Sequence, residues 1–138
     1  MDQQRARVSR EELSRQQDML ARQLAFRQRT LGDDHPGTLR TLERLAVTLE
    51  ALGSLRLARG LRRDVLAGVK RVFGERSTES TLAAHRLAML LAELGEAERL
   101  KRLMEHDLRW LAGVGENLLG RDLLPVRAWV IDQLAEGR

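Results

Sequence analysis

The stretch that decides the fold is LGDDHPGTL, residues 31–39, in which a glycine follows leucine and a proline follows a short polar turn. Glycine directly after an apolar residue is typical of a helix C-terminus, because glycine adopts the left-handed conformation without steric cost. Proline is tolerated in the first turn of a helix, where its missing N–H has no partner to lose. The stretch therefore predicts that one helix ends near Leu31 and another begins near Pro36, with Asp34 as its cap and His35 ordering the turn.

The same punctuation returns every 21 residues along the chain. Four glycines, each preceded by leucine or phenylalanine, mark this spacing: Gly32, Gly53, Gly74 and Gly95. The spacing leaves room for helices of about 15–18 residues joined by short turns. Two such helices form a 42-residue unit, and Leu45-Ala46 accordingly recurs as Leu87-Ala88. A repeat of this length indicates helix hairpins stacked as a solenoid.

The predicted fold class is all-α, with antiparallel helix hairpins stacked as a short solenoid of about six helices. Nothing in the chain alternates with the period of a strand. Helix starts are expected at a capping box beginning at Ser9, at Ser77 or Thr78, and at Asp122. We predict one domain over residues 1–138, divided into a flexible N-terminus 1–8, a lone second helix 9–31, repeats 34–73 and 77–114, and a C-terminal capping or interface helix 121–136.

Residues 31–39, followed by Leu45-Ala46 and Leu52-Gly53, resemble the tetratricopeptide repeat in its 42-residue, kinesin-light-chain-like form. The resemblance implies a right-handed solenoid that binds proteins or peptides and catalyses no reaction. It also implies that the first helix of each unit lines a concave surface. The chain departs from the family where Glu43-Arg44 and His85-Arg86 replace its usual asparagine pair, so an amide ladder for a peptide backbone is not expected.

The composition excludes several classes of protein. The chain has 138 residues, of which 43% are hydrophobic and 32% charged, with a net charge of +4 and no cysteine. The absence of cysteine excludes a disulfide scaffold, a thiolate zinc finger and cysteine nucleophiles. The N-terminal residues are polar and the longest apolar run is Leu87–Ala92, so we expect a cytoplasmic protein with no signal peptide and no membrane partner.

The three histidines do not form a catalytic or metal-binding pattern. His85, His106 and Asp107 are the only combination that suggests a zinc or general-base site, and their spacing lacks the close pairs that zinc ligands usually form. No carboxylate dyad and no glycine-rich phosphate loop is present. We therefore predict no catalytic residue, no metal, no cofactor and no enzyme activity.

A partner-binding groove is predicted on the first helices of the two units. If Leu42, Leu45 and Leu49 face the core, a turn of about 100° per residue places a basic and apolar set on the opposite side. We expect this groove to bind a protein or peptide, acidic in character, through arginine forks and apolar contacts. The predicted groove residues are Arg40, Glu43, Arg44, Val47, Leu82, His85, Arg86 and Met89.

The two ends of the stack supply a second predicted surface. A terminal solenoid unit exposes apolar side chains unless it is capped or paired, and the first helix lacks a hairpin mate. We expect a partner to cover these ends, with a homodimer as the simplest form and a larger complex as the other. The predicted seam residues are Met19, Leu20, Phe26, Trp129, Val130 and Ile131.

Two other functions stay open at the level of sequence. The chain could be an accessory protein or small enzyme of a biosynthetic or modification pathway, with the groove holding a small molecule or leader peptide. Nucleic-acid association is the less favoured alternative. Arginines crowd the first and third helices, but acidic residues are interspersed and aromatic residues make up only 3% of the chain.

Overall fold

The structure is a computed structural model that describes the backbone of residues 2–137 and the side chains of residues 9–137. Six α-helices account for most of it, and no strand occurs in that part of the chain. This confirms the all-α prediction. The helices are α1 (Asp2–Leu31), α2 (Pro36–Ala51), α3 (Leu55–Phe73), α4 (Thr78–Glu93), α5 (Ala97–Leu103) and α6 (Leu124–Glu136).

The glycines end their helices as the sequence predicts. All four have a positive φ, from +71° at Gly95 to +90° at Gly32, a region that residues with a Cβ enter only with strain. At Gly53 the left-handed turn lets the amide of Ser54 donate to the carbonyl of Leu49 at 2.8 Å. These turns reverse the chain between successive helices.

Side-chain hydrogen bonds cap the starts of α2 and α4, and the structure corrects two of the predicted caps. His35 rather than Asp34 caps α2, because its Nδ1 accepts a hydrogen bond from the amide of Gly37 at 3.0 Å. Ser77 caps α4 as expected, since its hydroxyl accepts from the amide of Ser80. Asp122 does not cap α6, because it lies in a 3₁₀ turn before that helix.

The N-terminal helix is longer than the sequence predicts. Helix α1 begins at Asp2, so Ser9 lies inside it and the predicted capping box does not start it. Residues 2–8 include two glutamines, two arginines and one alanine, which extend a helix at little cost. The prediction of a flexible N-terminus applies to residues 1–8, whose side chains lie outside the described residues.

Packing divides the chain into two compact units, Met1–Gly68 and Val69–Arg138, with the boundary inside α3. In the first unit, α1 packs along α2, and the predicted core leucines Leu42, Leu45 and Leu49 are buried. Ala46 is fully buried, which allows the helices to approach closely. The opposite face of α2, which carries Arg40, Arg44 and Val47, is exposed.

In the second unit, α4 packs against the segment that begins with α5. That segment widens into a π-helical turn at Met104–Leu108 and ends in a 3₁₀ turn at Arg109–Gly113. Leu108 and Leu111 are fully buried, and α6 packs on the same segment through the fully buried Val130. Tertiary packing therefore replaces a regular second helix of this hairpin by an irregular one.

Candidate protein-binding site

An open groove runs between α1 and α2 in the first unit. Its volume is about 460 Å³. Met19 of α1 and Val47 of α2 form its apolar part, and about half of each side chain is exposed, 50% and 51%. Its lining residues are Gln16, Met19, Leu20, Arg40, Glu43, Arg44, Val47 and Thr48. We call this the α1–α2 groove.

Two arginines give the groove its charge. Arg40 and Arg44 are exposed, and neither side chain makes a hydrogen bond or an ion pair with any described residue. The acidic member is Glu43, whose Oε1 lies 4.0 Å from a guanidinium nitrogen of Arg62. The groove therefore offers two available guanidinium groups beside an apolar floor, and its only described carboxylate already faces a cation.

A smaller recess continues from the groove toward the start of α2. It has a volume of about 340 Å³ and shares Arg40 and Arg44 with the groove. Arg27 of α1 and His35 contribute to its wall, together with Leu31 and Gly37. Arg27 is held in place because its Nη1 donates to the carbonyl of Gly37 at 3.1 Å and to Oγ1 of Thr41 at 2.5 Å. The recess adds positive potential at one end of the groove.

Contacts from α3 fix the orientation of α2. Arg62 is buried, with 7% of its side chain exposed, and its Nε donates to Oε1 of Glu50 at 2.5 Å. Gly68 of α3 approaches Leu39 so closely that a Cβ there would lie 2.5 Å from Cδ2 of the leucine. These contacts hold the buried face of α2 inward and so turn Arg40, Arg44 and Val47 outward.

The second half of the predicted groove lies on α4, in the other unit. Arg86 and Met89 are exposed, and Leu82 and His85 are half-buried. The ring of His85 meets that of Trp129 edge-on with the centroids 5.0 Å apart, and its buried Nε2 has no hydrogen-bond partner among the described residues. Burial, followed by the charge of Arg86, lowers the pKa of His85 below its ordinary 6.5. The ring of His85 therefore packs against α6.

The predicted seam residues fall into two groups. Met19, Phe26 and Ile131 are exposed apolar side chains, and Trp129 is half-buried against His85. Leu20 and Val130 are buried, with exposures of 7% and 0%, so neither is an exposed apolar side chain at an end of the stack, although Leu20 also lines the α1–α2 groove. Helical spacing places Leu20 toward α2 and Val130 toward the irregular segment, where each completes the core of its own unit.

The histidines and acidic residues form no metal site among the described residues. The Nδ1 of His106 lies 3.3 Å from Oδ1 of Asp107, and Lys70 also pairs with this carboxylate. Trp110 donates its indole N–H to the carbonyl of Asp107 at 2.9 Å and lies beneath the guanidinium of Arg76. This cluster ties the π-helical turn to α3. No helix within the described residues is long and apolar enough to cross a membrane.

Sequence reasoning missed three features of the site. Gln16 and Thr48 line the groove, and Arg27 with His35 builds the recess. It also treated Met19 as part of a separate seam, whereas Met19 lies in one groove with Val47. The sequence did contain a signal for this groove, because α1 is predicted as the second helix of a hairpin without its first helix. That first helix would pack on the face of α1 next to α2.

Comparison with protein families places the repeat within the chain. A family model described as a tetratricopeptide repeat matches residues 38–79, a span of 42 residues that equals the period found in the sequence. The match covers α2, α3 and the first residues of α4. Comparison with curated proteins gives no match.

Proposed function

We propose that this chain, which contains a tetratricopeptide repeat at residues 38–79, is a non-catalytic adaptor that binds a protein partner in the α1–α2 groove. Repeats of this family mediate protein–protein interactions. The observation that carries the proposal is an open groove in which two exposed apolar side chains, Met19 and Val47, lie beside two guanidinium groups that have no partner among residues 9–137. Apolar patches rimmed by charge are typical of protein-binding surfaces.

The chemistry of the groove favours a protein over other ligands. Its apolar floor is shallow and continuous with solvent, which suits the side chains of a peptide or helix. A single-stranded nucleic acid would need aromatic platforms for its bases, and none lines the groove. Arg40 and Arg44 favour carboxylate groups on the partner, because guanidinium forks pair with them bidentately.

Self-association is a second proposal, which rests on one exposed apolar side chain in each unit. Phe26 of α1 and Ile131 of α6 are exposed apolar side chains outside the groove lining, with exposures of 58% and 37%. We expect light scattering to give twice the monomer mass across a tenfold range of concentration. Phe26→Ser should reduce that mass to the monomer value, and an unchanged dimer would place its interface elsewhere.

The main proposal is tested by site-directed photocrosslinking in the cells from which the gene comes. A photoreactive phenylalanine at Val47 should crosslink a defined protein, and the same residue at Leu118, which is 76% exposed, serves as the control. The captured protein is then purified and its affinity measured against Val47→Asp and Leu118→Asp chains. Equal affinities for these two variants would contradict binding in the groove.

A further inference from the structure

The shape of the α1–α2 groove matches a helix. Its walls are two helices, and its lining residues follow helical spacing, with Gln16, Met19 and Leu20 on one wall and Arg40, Arg44 and Val47 on the other. Side chains at such spacing form ridges between which the ridge of a third helix packs. The distance from Arg40 to Val47 along α2 is about 10 Å, which corresponds to two helical turns.

The second unit contains the arrangement that the first unit leaves open. There α4, the first helix of its hairpin, packs against the segment that starts at α5, and it meets α6 where His85 contacts Trp129. In the first unit, α1 corresponds to the second helix of a hairpin and α2 to the first helix of the next one. A first helix paired with α1 would lie where the groove is.

The charges around the groove specify the chemistry of such a helix. Arg40 and Arg44 have no partner among the described residues, and Arg27 extends the basic surface into the recess. A second copy of this chain, with its net charge of +4, would bring further positive charge to this surface. A segment that carries carboxylates would instead neutralise both guanidinium groups.

We infer that the groove receives an acidic amphipathic α-helix of a partner protein, which packs on α1 and α2 in the place of a first hairpin helix. This inference rests on the proposed function and adds the form and charge of the partner. Apolar side chains of the incoming helix contact Met19 and Val47, and its carboxylates pair with Arg40 and Arg44.

The probes are synthetic peptides built on α4, residues 78–93, because that segment is a first hairpin helix of this same fold. The acidic peptide carries H85E and R86E, the glutamine peptide carries H85Q and R86Q and so has two fewer carboxylates, and the helix-broken peptide adds A88P to the acidic one. Each is titrated into the ¹⁵N-labelled full chain at low salt. Chemical shifts locate the binding site and give the dissociation constant.

The acidic peptide should shift the amides of residues 16–20 and 40–48 and bind about 5–10-fold more tightly than the glutamine peptide, since each exposed ion pair contributes modestly. Proline should weaken binding about tenfold or more, because it breaks the helix. The R40Q/R44Q chain should lose the preference for the acidic peptide. The R56Q/R63Q chain, which changes two exposed arginines of α3, should keep it.

Each contrary result overturns a stated part of the inference. Equal binding of the helix-broken peptide in the groove would refute a helical partner. Equal binding of the glutamine peptide would refute pairing of the added carboxylates with the groove arginines. Both results leave the proposed function standing. Failure of the acidic peptide to bind at millimolar concentration would refute the inference, while the crosslinking at Val47 would still test the function. Self-association that Val47→Asp abolishes would identify a second copy as the occupant.

Discussion

Substitution of Gly68 by alanine tests how α3 sets the position of α2. A Cβ at Gly68 would lie 2.5 Å from Cδ2 of Leu39 and 3.5–3.6 Å from its Cδ1 and Cγ, whereas carbon atoms in contact are about 3.5–4.0 Å apart. Leu39 is buried, so the overlap of about 1 Å must be relieved by moving a packed side chain or the helices themselves. Overpacking of this kind costs about 1–3 kcal/mol.

Gly60 provides a matched control on the same helix. A Cβ there meets no atom within 4 Å, so Gly60→Ala gains only the higher helix propensity of alanine, about 0.8–1.0 kcal/mol. The same gain applies to Gly68→Ala and offsets part of its clash. We therefore expect Gly68→Ala to be about 1–3 kcal/mol less stable than Gly60→Ala.

The assay is urea unfolding of both variants, followed by circular dichroism at 222 nm. Leu39→Val removes the clashing Cδ atoms, so it should rescue Gly68→Ala in a double-mutant cycle with a coupling free energy of about 1 kcal/mol or more. Equal stability of the two glycine variants, or additive effects in the cycle, would refute the close approach of α3 to Leu39.

Three other changes have defined outcomes. Arg62→Met should destabilise the fold by about 1–2 kcal/mol. The loss is smaller than for a fully buried ion pair, because Glu50 is about one-third exposed. A double-mutant cycle with Glu50→Gln, measured by urea unfolding, should show that the two effects are not additive. Burial and then Arg86 lower the pKa of His85, so its contribution to stability is complete above pH 6.5 and is lost as the pH falls through and below that value. His85→Gln should flatten this pH dependence of the urea midpoint, and an unchanged slope would contradict the assignment. Gly53→Ala should cost about 1–2 kcal/mol and lower the Tm, because alanine is strained at a φ of +80°; an unchanged Tm would rule this out.

The helical repeat was predictable because its signals are local. A glycine after an apolar residue needs only its own backbone freedom to end a helix, and the four glycines show that conformation wherever the period predicts it. Ser77 capped its helix as expected for the same reason. At α2, His35 rather than Asp34 caps the helix. The residue before proline is held extended, and the imidazole of His35 then reaches the amide of Gly37.

The candidate site was only partly predictable. Helical spacing correctly placed Arg40, Arg44 and Val47 on the outward face of α2. It misplaced Leu20 and Val130, because the face that each helix buries depends on its neighbours and not on its own pattern alone. The irregular segment of residues 104–113 was also unexpected, since its π and 3₁₀ turns follow from packing around Leu108 and Leu111.

The sequence by itself determined the all-α hairpin repeat, its 42-residue period and the ends of its helices, because each depends on residues within a few positions of one another. Tertiary structure alone decided that Met19 and Val47 share one groove and that Arg27 and His35 extend it as a recess. It also decided that the ring of His85 packs against Trp129 of α6. The physical reason is that a groove belongs to the space between two helices, and their separation and rotation are set by distant contacts such as that of Gly68 with Leu39.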